Sequence, residues 1–132
     1  MPVVVITPDY EVEIVPDPVT LDLKFLQTEV DGWIENVEIA VGKSRLQMWV
    51  NEEGLLKRLP YNPLATHLYN FERGPGGVIV GNVVITGLAD GDAWTLSEAE
   101  FVALMDEIVQ FTAVVAKWEE GMSPQTLDNV DK

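Results

Sequence analysis

The chain has no cysteine and a single histidine, His67, in 132 residues. Disulfides and thiolate metal sites are therefore excluded, and the composition suits a reducing compartment. Basic residues are scarce: eight Lys and Arg stand against 22 Asp and Glu, for a formal net charge of −14. Duplex nucleic acid and anionic membrane both depend on Lys and Arg for affinity, so neither is an expected partner. No apolar stretch reaches the ~20 residues that a membrane span needs. Residues 1–10 lack the basic segment and long apolar run of a secretory leader. These absences predict a cytoplasmic protein that touches neither nucleic acid nor membrane directly.

What is present is a large apolar fraction, 47%, enough to build one core in a chain of this length. The charge is uneven. Residues 1–38 carry nine acids against Lys24 alone, and residues 96–132 carry eight acids against two bases. The middle is neutral and holds Lys43, Arg45, Lys57, Arg58 and Arg73.

Pro2 to Thr7 is a β-branched run that reads as a strand buried on both faces. Tyr10 to Val15 alternates, with Tyr10, Val12 and Ile14 on one face, and Pro16-Asp17-Pro18 ends it. The two are expected to form a hairpin. Thr20 is placed to cap a helix whose stripe is Leu23, Phe25, Leu26 and Val30, with Gly32 as its stop. Trp33 to Ile39 alternates again, and Leu46 to Val50 returns after a loop at Val41–Ser44. Asn51-Glu52-Glu53-Gly54 reads as a turn in which Gly54 supplies positive φ, followed by a short strand at Leu55–Leu59. Asn62 and Pro63 mark a short helix, as N-cap and first helical residue. Residues 74–77 break the chain, and Val78 to Thr86 reads as a strand interrupted at Gly81, by a bulge or a close approach. Asp90-Gly91-Asp92 is a loop. Ser97-Glu98-Ala99-Glu100 is a capping box that opens a helix to Glu120, stopped by Gly121. Strands with helices inserted among them predict an α+β fold: a mostly antiparallel sheet, two short helices and one long C-terminal helix. The expected organisation is a compact domain over 1–95, the long helix over 96–121 packed on it or on a second copy, and a mobile tail over 122–132.

Chemistry is thinly represented. His67 has no neighbouring Ser or Asp in a catalytic pattern, and no spacing matches a metal-binding helix or a calcium loop. The glycines at 74–77 precede no Gly-Lys-Ser/Thr, so a phosphate cradle is not expected. No catalytic residue, metal or cofactor is assigned. The best ligand-site candidate is the turn itself, where Asn51, Glu52, Lys57, Arg58 and Asn62 would border a shallow polar pocket. The simpler reading is that Asn51 and Gly54 satisfy a turn and Asn62 a cap.

Three segments resemble one family. They are Val30-Asp31-Gly32-Trp33-Ile34-Glu35; Asn51-Glu52-Glu53-Gly54 with Leu59-Pro60-Tyr61-Asn62; and Val80-Gly81-Asn82-Val83-Val84. Together they are similar to an uncharacterised domain of unknown function common in actinobacteria and their phages, over roughly residues 1–95. The resemblance implies a compact α+β domain carried by phages or mobile elements, with no established catalytic residues. It leads to the expectation of a non-enzymatic accessory protein that binds a host protein in the host cytoplasm. The alternatives are a module binding a small ligand, nucleotide or metabolite, and an acidic inhibitor that imitates DNA.

The long helix adds a surface. At 100° per residue Phe101, Leu104, Met105, Ile108, Thr112 and Val115 form one stripe. Val102, Val109 and Ala116 widen it on one side, Phe111 and Trp118 on the other, to an apolar arc of roughly 200°. One sheet face does not cover so wide an arc. The residues expected at an interface are Val102, Val109, Phe111 and Trp118, and the expected partner there is a second copy in a homodimer.

Overall fold

The computed structural model describes residues 2–16, 21–89 and 92–121. The order of elements is β1 (Pro2–Ile6), β2 (Val12–Pro16), α1 (Leu23–Val30), β3 (Ile34–Val41), β4 (Ser44–Asn51), α2 (Pro63–Arg73), β5 (Val83–Ala89), β6 (Asp92–Trp94) and α3 (Glu98–Gly121). Every described strand pairing is antiparallel, in the order β2-β1-β5-β4-β3, with β6 added to the far end of β5. The fold is the α+β arrangement expected, with one long C-terminal helix.

Side chains alternate across a strand, so each row of paired residues belongs to one face. The register aligns Ile14, Val4, Ile85, Met48 and Val37 in one row across five strands. Beneath α2 and α3 the inner part of this row, Val4, Ile85 and Met48 with Val37 at its margin, joins Leu64, Leu68, Leu96, Leu104 and Ile108 in the larger core, while Ile14 at the outer end is exposed. The adjacent row runs Glu13, Val5, Val84, Trp49 and Asn36. Its middle is apolar and packs on Leu26 and Val30 of α1, while its ends are polar. A helix of eight residues covers only the centre of that face, and the row is apolar only where it is covered. The continuous apolar composition of β1 follows from this: Val3 and Val5 feed one core, Val4 and Ile6 the other.

Several local expectations are corrected. Tyr10 is not in a strand. It adopts φ +66 in the turn that follows β1, where Tyr10 N–H bonds to Thr7 O, so β2 begins at Val12. Thr20 lies outside the described residues, and α1 is capped by Asp22, whose Oδ1 accepts from Phe25 N at 2.9 Å. The helix ends on Asp31 in the left-handed conformation, one residue before Gly32. Val78–Asn82 is not part of β5. Gly81 at φ +75 turns the chain, Val80 keeps only an isolated bridge to Tyr61, and Gly81 N–H bonds to Pro60 O at 2.7 Å. Of the Asp90–Asp92 loop, Asp90 and Gly91 lie outside the described residues, and Asp92 opens the strand β6.

The segment after β4 is corrected most. Leu55–Leu59 is not a strand but the end of a single helical turn. Lys57 N–H bonds to Glu53 O at 2.9 Å, Arg58 N–H to Leu55 O at 3.2 Å and Leu59 N–H to Gly54 O at 3.0 Å. The last two bonds are the pair that closes a helix with a left-handed residue, here Arg58 at φ +54. Gly54 therefore does not carry the positive φ. It is glycine because a Cβ there would sit 2.7 Å from Val80 Cγ2 and 3.3 Å from Asn51 O. The expected N-cap of α2 is present, with Pro63 in its first turn. So is the capping box of α3: Ser97 Oγ accepts from Glu100 N at 3.2 Å and Glu100 Oε1 from Ser97 N at 2.8 Å.

Replacing Gly54 by valine should lower stability by about 1–3 kcal/mol, because the added atoms overpack against Val80 and the chain at Asn51. A urea melt measures this. Unchanged unfolding would show that the turn does not lie against Val80.

Candidate functional site

The two asparagines singled out in the sequence are both buried, at 6% for Asn51 and 0% for Asn62. Asn51 closes β4. Its Nδ2 donates to Val30 O at 3.0 Å and Asp31 O at 3.1 Å, and its Oδ1 accepts from Glu53 N at 2.8 Å. One amide thus ties the end of α1 to the turn after β4. Asn62 does more. Its Oδ1 caps α2 at Ala65 N, 3.0 Å away, while its Nδ2 donates to Ile6 O at 3.1 Å and Gly81 O at 2.8 Å. Its backbone N–H bonds to Ile79 O at 2.9 Å. Both side chains spend their hydrogen-bonding groups inside the protein, and among the described residues no buried side-chain polar atom lacks a partner.

The five candidate residues do not share one pocket, although Asn51 and Lys57 meet beside Gly32, where a Cβ would lie 2.7 Å from Asn51 Nδ2 and 3.0 Å from Lys57 Nζ. Asn51 and Glu52 border an open groove of about 480 Å³, together with Glu35, Val37, Leu55 and Leu56. Lys57 lines a smaller depression of about 260 Å³ with Gln27, Gly32 and Trp33. Arg58 is exposed at the left-handed end of its turn, and Asn62 is enclosed.

A cluster that no local motif announced forms where α2 meets α3. His67 Nε2 lies 2.7 Å from Glu107 Oε1, and the imidazole stacks on Phe111 at 4.1 Å between centroids with 17° between planes. Phe71, one turn further along α2, meets the same ring edge-on at 5.8 Å. A shallow basin of about 540 Å³ opens beside it, lined also by Tyr61, Thr66 and Asn70. Its polar neighbours are already engaged. Thr66 Oγ1 accepts from Ile79 N at 2.9 Å, and the Asn70 amide exchanges two bonds with Gly77. Among the described residues the imidazole is met by Glu107, Phe71 and Phe111 and by no nucleophile, and the arrangement fastens α2 to α3. Among the described residues no group of three or more His, Asp or Glu is set to hold a metal ion.

The helix surface is distributed differently from the sequence expectation. Val102, Val109 and Trp118 are 58–65% exposed, and Val114 joins them at 65%. Phe111 instead packs inward on His67. Among the described residues of α3 only Leu104 and Ile108 are buried, so the helix is held over its first half. Burial first, then the charge of Glu119 near the end of α3 and then Tyr61, raise the Tyr10 pKa above its ordinary value.

The chain matches the model of a family described as a domain of unknown function (DUF3846) over residues 1–111. It belongs to that family. The match runs past the motif-bearing 1–95 and ends at Phe111, where α3 stops contributing to the core. Placed in the fold, the three motif segments fall where the backbone is constrained. Asp31 and Gly81 take left-handed conformations, and Gly54 allows a close approach. No curated protein and no solved structure matches the chain.

Two measurements follow from this geometry. Asn62→Ala should cost about 2–4 kcal/mol, since it removes a cap and strands two buried carbonyls. Lys57→Ala should stay within ~0.5 kcal/mol, as an exposed side chain away from such features. Comparable small effects in denaturant titrations would contradict the structural role of Asn62. Glu29 provides a pH test. Burial first, and then the charge of Glu13, raise its pKa in the folded state. The charged form is thus penalised on folding, and the penalty appears as pH rises from the ordinary glutamate value of ~4.3 through the raised folded value. Glu29→Gln should therefore melt slightly higher than the parent at pH 7, with the difference vanishing near pH 3. A gain that persists at low pH would contradict this cause.

Proposed function

We propose that the protein is a non-enzymatic binding module, a phage or mobile-element accessory protein that engages a host protein, and that it works as a homodimer joined through α3. The observation that carries this reading is the set of large apolar side chains left in water along one helix. Val102 and Val109 lie on one flank, Val114 and Trp118 on the other, each at least 58% exposed. Exposed apolar surface of this kind marks interaction sites in soluble proteins. The helix is anchored by Leu104, Ile108 and the His67–Glu107 contact, so these exposed side chains are presented on a rigid support. The small-ligand alternative loses its strongest residues, because the amide groups of Asn51 and Asn62 are already bonded within the protein. The resemblance to domains carried by phages is what makes a host protein the partner class.

Light scattering coupled to size exclusion, at low micromolar concentration, should return twice the 14.7 kDa chain mass. Val109→Glu combined with Trp118→Glu should halve it without unfolding the body. A single-chain mass at all concentrations would overturn the dimer.

A further inference from the structure

The sheet ends on one side at β3, an eight-residue strand paired only with β4 among the described residues. The hairpin register shows which of its backbone groups are spent. Val41 and Ser44 close a two-residue loop, and Glu52 N–H bonds to Trp33 O at 2.8 Å. In an antiparallel ladder, bonded and non-bonded pairs alternate. Residues 33, 35, 37, 39 and 41 therefore face β4. The N–H and C=O of Ile34, Asn36, Glu38 and Ala40 face outward, and among the described residues none has a backbone partner. The opposite edge, β2, is shorter and ends on Pro16, which blunts it. At the hairpin end Arg45 bridges Glu38 at 3.2 Å and Glu72 at 3.1 Å. The half of the edge nearest Ile34 has no such bridge.

That same half borders the 480 Å³ groove. Glu35 and Val37 of β3 line it, with Val50 and the exposed Leu55 and Leu56 opposite. Its acids are Glu35 and Glu52, and no Lys or Arg lines it. On the other face of β3, Asn36 and Glu38 are exposed; Glu38 is paired with Arg45, whose guanidinium also meets Glu72 of α2 at the hairpin end of the edge, so that trio keeps one net negative charge there.

We infer that the β3 edge and this groove bind an extended peptide segment of a partner protein, one that alternates aliphatic and basic residues. The segment adds a strand through the outward groups of Ile34 to Glu38. Its aliphatic side chains then fall on the groove face beside Val37, Leu55 and Leu56, and its basic ones beside Glu38, where the trio with Arg45 and Glu72 is net negative. This surface is distinct from α3, and the inference stands whether or not α3 forms a dimer.

The probe is a fluorescein-labelled decapeptide of alternating valine and lysine, read by fluorescence anisotropy with the full chain. A saturable rise is expected, weakened at least ~tenfold when alternate peptide nitrogens are methylated or valine is replaced by serine. Asn36→Pro removes an outward N–H without touching the β4 ladder, and should abolish binding while the protein still melts cooperatively. The methylated peptide, tested on the unaltered protein, keeps the inference falsifiable should that variant fail to fold. No saturable binding would overturn the inference. So would equal binding of the serine and methylated peptides, which is adsorption to an acidic surface. A dimer dissolved by Asn36→Pro would likewise overturn it, assigning the edge to a second copy.

Discussion

The Asn62 side chain holds the fold at the point where most of its parts converge. One buried amide caps α2, bonds to the end of β1 through Ile6 O and bonds to the turn at Gly81 through its carbonyl. An unsatisfied buried amide or carbonyl is costly, so each partner holds the others in position. The turn at Gly81 brings the chain against Leu59, close enough that a Cβ would lie 2.9 Å from Leu59 Cδ1. Leu59 in turn closes the helical turn that follows β4, and Asn51 ties that turn to α1. Two asparagines thus connect elements on both faces of the sheet, and the amide groups of both are already bonded within the protein.

With the interior so closed, the unsatisfied chemistry lies outside, in two places of different kinds. The α3 surface is apolar and rests on an anchored helix, so it suits packing against another apolar face. The β3 edge is a row of directional backbone groups beside an acid-rimmed groove, so it suits an extended chain. The His67, Glu107 and Phe111 contact lies between α2 and α3 and governs how firmly the first surface is presented.

Much of this architecture was legible in the chain. The alternation through Trp33–Ile39, the returning strand at Leu46–Val50, the Asn62-Pro63 start and the Ser97–Glu100 box all describe interactions within a few residues, and the structure contains each of them. What was not legible depended on distant partners. Gly54 is demanded by Val80 across the groove, not by its own dihedral angle. Val78–Val80 has the composition of a strand but finds only Tyr61 to pair with. His67 meets Glu107 across forty positions, a separation that no local spacing can reveal. The polar character that made Asn51 and Asn62 look like ligand residues is the same property that lets them satisfy buried backbone, and only their burial distinguishes the two roles.

The central claim is that Asn62 is the internal fastening of the fold and not a group offered to a ligand. Hydrogen exchange of its side-chain amide protons, followed by nuclear magnetic resonance, tests this most directly. Protection of both protons, opening only with the global unfolding of the sheet, is the predicted result. Fast exchange of the Asn62 amide in a protein whose β1, β4 and β5 backbone amides remain protected would contradict it.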